Sequence, residues 1–369
     1  MAESRLDKLS ARGQSVWIDY LSRDLLESGG LKQMMDEDAV VGVTSNPTIF
    51  QKAISQGHAY DEQLKELMAE ESDPKEIFLQ LAVRDVENAL DLLAPVHEGN
   101  AEDGYVSIEV DPNLAYDTEA TCEEAKRLYE WIDRPNLYVK IPGTEPGLQA
   151  IEHCIAAGRS INVTLLFSLE RHRGAMEAYV SGLERFVEGG GDPAQVRSVA
   201  SFFVSRVDTE TDKRLETIGS EEALALGGKL AIANARIAYQ NYKEVFSGAR
   251  WEALEGKGAL PQRCLWASTS TKNPAYRDVL YVEELIGPHT VNTMPEETIQ
   301  AFQDHGEVRG DTVEDDLDGA HRLFEQLAAV GIDYDDVVAT LEKEGVQKFS
   351  DSFAELLDGV KAKREAVAA

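Results

Sequence analysis

Hydrophobic and polar positions along this chain follow two periods that take turns. Runs rich in β-branched and aromatic residues recur at 15–20 (SVWIDY), 41–46 (VGVTSN), 105–111 (YVSIEVD), 137–143 (LYVKIPG), 161–168 (INVTLLFS), 198–205 (SVASFFVS), 264–269 (CLWAST) and 290–295 (TVNTMP). Each predicts a strand. Between them lie stretches with amphipathic helical spacing, such as 119–133 and 146–158, and the long stretch 221–246 also reads as helix. Segments 189–193 and 247–262 read as loops. Strands that alternate with helices pair in parallel through right-handed crossovers. Eight such units predict an α/β fold, a closed (β/α)8 TIM barrel with additional helices. An open doubly wound sheet is the alternative, but no Gly-rich dinucleotide fingerprint follows the first strand to support it. Two segments exceed the minimal barrel: 47–104, with several helical pieces, and 296–369, with two or three helices. No repeat or linker divides the 369 residues, so one domain is expected.

Side chains of a strand alternate between its two faces. Lys140 shares parity with Tyr138 and Pro142, opposite Leu137, Val139 and Ile141. Asn162 and Thr164 oppose Ile161, Val163 and Leu165, and Ser107, Glu109 and Asp111 oppose Val106, Ile108 and Val110. Asp19 shares parity with Trp17, Asn46 with Thr44 and Gly42, and Ser201 with Phe203 and Ser205. The outer face of a barrel packs on helices and is apolar, so the polar face must look inward. These residues fall late in each run, toward the mouth where barrel enzymes do chemistry. Taken singly, Lys140 could snorkel at an edge, Asn46-Pro47 could be a plain turn, and Glu109 and Asp19 could sit in structural ion pairs. Jointly they point to a site, because isolated buried charges are costly unless paired.

A lysine among apolar walls becomes a nucleophilic amine that attacks ketones to form an iminium, an electron sink for C–C cleavage. Forming and dehydrating the carbinolamine moves protons, and Glu109, Thr164 and a water could shuttle them. A second acid/base must deprotonate a substrate hydroxyl; Asp19 is the natural candidate. Asn46 and Asn162 can hold sugar hydroxyls without competing for protons.

Charge constrains partners. With 36 Lys+Arg against 67 Asp+Glu the net charge is −31, a surface that repels nucleic acid and anionic lipid. Neither nucleic acid nor a membrane is expected as partner. A phosphate-binding site on such a protein must be a local basic island. Cys122, Cys154 and Cys264 lack CxxC spacing, and the seven histidines show no HExxH pairing, so neither a disulfide framework nor a metal is expected. No apolar run is long enough to span a bilayer, and the polar N-terminus lacks a signal-peptide stretch, which predicts a cytoplasmic protein. Phe349 and Phe353 lie at helical spacing in the last segment, where core packing is expected in preference to a role covering the active site.

VGVTSNPTIFQKAI (41–54) resembles the first transaldolase signature, and LYVKIPGTEPGLQAIE (137–152) resembles the second, which surrounds a Schiff-base lysine. SIEVDP, INVTLLFS, SVASFFVSRVD, LWASTSTKNP and TVNTMP are similar to further blocks of that family, in the same order. The resemblance covers about 15–300, is expected to run on through the C-terminal helices, and is closest to the longer bacterial branch. It implies Lys140 as the Schiff-base residue, Asp19 as acid/base, and Glu109 and Thr164 around a catalytic water. It implies Asn46, Asn162, Ser201, Phe203 and Arg206 in substrate binding, with Arg206 on phosphate. Where many members carry Arg before an Asn, this chain has Lys272-Asn273, a cation without a bidentate fork; Ser270 and Ser268 add hydroxyls there. The implied activity passes a dihydroxyacetone unit from sedoheptulose 7-phosphate or fructose 6-phosphate to glyceraldehyde 3-phosphate or erythrose 4-phosphate, a reversible step of the pentose phosphate pathway. No cofactor is implied, and the protein is expected to be a monomer or homodimer. A related aldolase that releases free dihydroxyacetone, or a non-catalytic sugar-phosphate-binding barrel, are the rival expectations.

Overall fold

The computed structural model describes residues 4–56, 58–71 and 73–368. Eight parallel strands close into a barrel in sequence order. They are β1 (Gln14–Ile18), β2 (Val40–Val43), β3 (Tyr105–Glu109), β4 (Leu137–Pro142), β5 (Ile161–Leu166), β6 (Ser198–Phe203), β7 (Arg263–Ala267) and β8 (Thr290–Met294). Closure comes from β8 pairing with β1, from Gln14↔Thr290 to Ile18↔Met294. Every run read as a strand is one, shortened at its C-terminal end where the chain leaves the sheet to build the mouth. The fold is therefore the (β/α)8 barrel that the alternating periods predict.

The inward face is layered. At its base the rings of Tyr105 and Tyr138 stack with centroids 4.1 Å apart, and Trp17 leans on Tyr138 at 6.1 Å. Gly42 makes room for this plug: a Cβ there would lie 2.5 Å from the Trp17 ring. Above the aromatic floor, Asn162 on β5 donates to Ser107 Oγ (3.0 Å) and accepts from Ser201 Oγ (2.7 Å). The polar parity thus holds only in the upper half of the lumen; large rings of the same parity seal the lower half, as packed barrels require.

The predicted helices at 119–133 and 146–158 are Thr118–Ile132 and Glu145–Ala156. Each starts on a side-chain cap, Asp117 to Ala120 N–H and Thr144 to Gly147 N–H, which satisfies an otherwise orphaned donor. Two readings fail. Segment 221–246 is not one helix but Glu221–Leu224 and Leu230–Val245, broken at Gly227-Gly228, where Gly228 takes φ +67°. Segment 247–262 is not all loop: Ala249–Glu255 is helical and buries Trp251.

The extra segments supply helices Pro47–Gln56, Asp61–Glu70 and Pro74–Gly99 after β2, and Glu296–His305, Leu317–Ala329 and Tyr334–Ala368 after β8. The last of these crosses the barrel beside its mouth. It bonds Arg214 through Asp336 (2.6 Å) near its start and Asp61 through Lys363 (2.8 Å) near its end. Between these ties Phe353 packs edge-on against Phe78 at 5.8 Å. No helix among the described residues is long and apolar enough to cross a membrane.

Candidate active site

The C-terminal ends of the strands open into a cavity of about 440 Å³. Its floor is Lys140, whose side chain is only 5% exposed. Register places it directly: Glu109↔Lys140 on the β3–β4 pair, and Lys140↔Asn162 and Pro142↔Thr164 on the β4–β5 pair. The Lys140 ammonium lies 3.6 Å from Glu109 Oε2 and donates to the Ser45 carbonyl at 3.2 Å. Burial pushes the Glu109 carboxyl up to about 7; the positive charge of Lys140 restrains that rise and the negative charge of Asp19 adds to it. Both Glu109 carboxylate oxygens and the Thr164 hydroxyl are buried without a hydrogen-bond partner in the protein. Buried polar atoms are rarely left so, and Glu109 and Thr164 stand on the two strands that flank Lys140.

Leu165, next to Thr164, has φ +57°, a conformation a bulky residue adopts only under constraint. The β5–β6 register shifts at the same point, between Val163 and Leu166. This distortion ends the regular ladder just after Thr164. Opposite, Asp19 follows β1 and accepts from Thr44 Oγ1 at 2.8 Å, and Thr44 in turn meets Thr293 Oγ1 at 2.8 Å.

Most of the residues expected in the site line this one cavity: Lys140, Asp19, Thr164, Asn46, Ser201, Phe203, Arg206, Ser270 and Lys272. Asn46 also caps helix Pro47–Gln56 by accepting from Ile49 N–H (3.1 Å), which leaves its amide N–H groups for a ligand. Glu109 stands behind Lys140 rather than on the open wall, beside a smaller hollow under Phe353. Asn162 is likewise off the wall: it is fully buried, with its amide engaged by Ser107 and Ser201. Ser268 lines the cavity with its hydroxyl against Ser205 Oγ at 2.9 Å.

The basic island required by the acidic surface is present. Arg206 stands on the first turn of helix Ser205–Ile218, with its guanidinium 5.0 Å from the Phe203 ring. It forms no ion pair with Asp208 or Glu210: Asp208 binds Tyr281 and the Ala231 N–H, and Glu210 pairs with Arg214. Lys272 donates to Ser270 Oγ at 2.6 Å. Lys52 and Lys348 join them on the cavity wall, together with Thr44, Thr293 and Phe349. Sequence reasoning did not place Thr44, Lys52, Thr293 or Lys348 in the site, and it favoured core packing for Phe349. Thr44, Lys52 and Thr293 lie inside segments already singled out by motif, so a signal existed. Lys348 had none, and the spacing that singled out Phe349 gave no destination, because only the path of the last helix brings them here. Phe349 is buried as core residues are, but it also faces the cavity, whereas Phe353 is core.

Another hollow of comparable size, on helix Thr118–Ile132, is lined by Glu123, Lys126, Arg127, Glu130 and Trp131. Arg127 there is paired with Glu76, and no buried nucleophile faces it. The chemistry belongs to the barrel mouth. The sequence model of the family described as Transaldolase/Fructose-6-phosphate aldolase matches residues 16–360.

The chain belongs to the transaldolase/fructose-6-phosphate aldolase family.

Relatives named transaldolase align along nearly its whole length. That of Mycolicibacterium paratuberculosis (strain ATCC BAA-968 / K-10) is 55% identical over 355 residues, 96% of this chain and 95% of the relative. Those of Mycobacterium tuberculosis (strain ATCC 25618 / H37Rv) and Frankia alni are each 53% identical, covering 97% and 95% of this chain and 96% and 95% of the relatives. The family match runs through the last helix to residue 360, so Lys348 and Phe349 lie within the part this family shares.

Proposed function

We propose that this protein is a transaldolase that moves a dihydroxyacetone unit between sugar phosphates through a Schiff base on Lys140. One observation carries the reading: a buried amine 3.6 Å from a buried carboxyl in register with it, at the floor of a cation-rimmed cavity.

In the proposed sequence the Lys140 amine adds to the C2 carbonyl of fructose 6-phosphate or sedoheptulose 7-phosphate. The carbinolamine then loses water, with protons carried by Glu109 and a water held between it and Thr164. A carboxyl titrating near 7 gives and takes protons with equal ease at neutral pH. Asp19 takes the proton of the C4 hydroxyl as the C3–C4 bond breaks, and the bonding electrons enter the iminium to give an enamine. The aldose phosphate leaves; an acceptor aldehyde enters, and the steps reverse. Asn46, Ser201 and Phe203 shape the sugar site, and Asn162 acts from beneath through Ser201. Arg206, Ser270 and Lys272 hold the phosphate. No cofactor enters the scheme, since the iminium is itself the electron sink. We further read the chain as one cytoplasmic domain, monomeric or homodimeric, acting on these charged sugars.

Borohydride reduction with fructose 6-phosphate tests this. A mass gain of one dihydroxyacetone unit at Lys140 is expected, and none would leave only a sugar-phosphate-binding barrel. The related aldolase reading is separated by incubating with fructose 6-phosphate alone and then adding erythrose 4-phosphate. Transfer predicts little turnover until the acceptor arrives; steady release of free dihydroxyacetone without it would favour the aldolase.

A further inference from the structure

Four elements bring a cation to the cavity wall: Lys52 on helix Pro47–Gln56, Arg206 on helix Ser205–Ile218, Lys272 after β7, and Lys348 on the last helix. Lys348 is the one furthest in sequence from the barrel. Its neighbours on the helix fix where it points. Phe349 is buried, 4% exposed, with its ring 6.0 Å from the Arg206 guanidinium carbon. Glu342 pairs with Arg171 at 3.3 Å one turn and a half before it, and Ser352 accepts from Thr48 at 2.8 Å one turn after. Lys348 has no ion pair with a carboxylate among the described residues. The charges around it are instead Arg206, Lys272 and Lys52; Arg206 first, then partial burial and the two lysines, hold its ammonium below the ordinary lysine range. Arg206, Lys272 and Lys348 form no ion pair with a carboxylate among the described residues, and on a chain of net charge −31 such a gathering of like charges is an unfavourable arrangement by itself. An anion in its midst reverses the sign. One phosphate dianion carries about two charges, and Lys272 supplies a point charge where a guanidinium would supply two parallel donors.

We propose that Lys348 is a further phosphate-binding residue, and that the last helix thereby sets the preference for phosphorylated over unphosphorylated sugars. The proposal rests on the cavity being a sugar-phosphate site, as argued above. It does not require that the bound sugar be turned over.

The test compares the native protein with Lys348→Met and Lys348→Arg, using inorganic phosphate as a binding probe and two acceptors, erythrose 4-phosphate and unphosphorylated glyceraldehyde. Removing one charge-assisted contact at a solvated rim corresponds to about a three- to tenfold change. Lys348→Met is therefore expected to weaken inorganic phosphate by that factor and to raise KM for phosphorylated sugars in step, the loss falling on KM rather than kcat. Its kcat/KM for glyceraldehyde should fall less, and Lys348→Arg should restore most of the affinity. Unchanged phosphate affinity in Lys348→Met, or equal losses with both acceptors, would overturn the proposal. If borohydride fails to trap a sugar on Lys140 yet phosphate binding weakens in Lys348→Met, the transferase reading alone fails and Lys348 keeps its assignment.

Discussion

Glu109 shows how one side chain couples chemistry to stability. A glutamate in the unfolded chain titrates near 4.5, whereas in the barrel burial raises Glu109 to about 7. Between those values the unfolded chain releases a proton that the folded chain keeps. The residue is thus neutral to stability below about 4.5 and destabilises increasingly as pH rises to about 7, by roughly 3 kcal/mol at the upper end. Glu109→Gln keeps the shape and removes the ionisation. Its thermal midpoint relative to native is expected to climb between about pH 5 and 7.5 and then level off; a pH-independent difference would remove Glu109 from this role. The same variant should slow turnover by about 10²-fold, through loss of the proton shuttle. Lys140→Met is expected to abolish both turnover and trapping while circular dichroism stays native; retained activity would end the Schiff-base mechanism. The inward direction of both residues was legible from parity alone, because a period of two leaves a strand only two faces. The engagement of Asn162 beneath the wall was not, since parity orders faces but not depth along the barrel axis.

Between helices, local patterning misleads where glycine decides. Segment 221–246 has apolar spacing that suits one helix, yet Gly228 breaks it with a left-handed turn. The break has a purpose in packing. The Gly228 N–H donates to Asp212 Oδ1 at 2.8 Å, and the other oxygen of that carboxylate accepts from Tyr276 at 2.6 Å. A Cβ on Gly228 would stand 2.6 Å from the Tyr276 ring. Tyr276 belongs to the segment after β7 that carries Ser270 and Lys272, so the helix break anchors this neighbouring loop by direct contact. Gly228→Ala is expected to cost about 1–3 kcal/mol by strained φ and collision together. It should also raise KM for phosphorylated substrates by displacing Tyr276. A stability loss with unchanged KM, read from thermal melts and steady-state kinetics on the same sample, would show that the loop is held some other way. The strands were easier to read than this break, because eight runs of alternating faces reinforce one another while a Gly-Gly pair within a helical pattern is ambiguous until its neighbours are known.

At the scale of the whole molecule, the question is why a barrel of this kind carries a helix as long as Tyr334–Ala368. Its apolar stripe could be read from sequence, but not its destination: a stripe fixes which side is buried, not what buries it. In the fold the helix ties the Ser205–Ile218 side of the mouth to helix Asp61–Glu70, through Asp336 to Arg214 and Lys363 to Asp61. These end ties are partly exposed ion pairs and contribute little individually. The hold comes from the middle, where Phe353 meets Phe78 and Phe78 meets Phe50 at 5.7 Å, a chain of edge-on rings joining the last helix to helices Pro74–Gly99 and Pro47–Gln56 of the insertion after β2. Phe353 is 3% exposed and sits four residues from Phe349, so packing at one position sets the aim of the cavity-facing residues one turn earlier. Phe353→Ala should cost about 3–5 kcal/mol through lost burial and the cavity left behind. Its effect should not stop at stability. Hydrogen exchange is expected to speed up along 334–363 while the barrel strands stay protected, and KM for phosphorylated sugars should rise as Lys348 and Phe349 lose their fixed positions. Faster exchange spread evenly over barrel and helix would mean instead that the two unfold as one cooperative unit, and that the helix is barrel core in all but position.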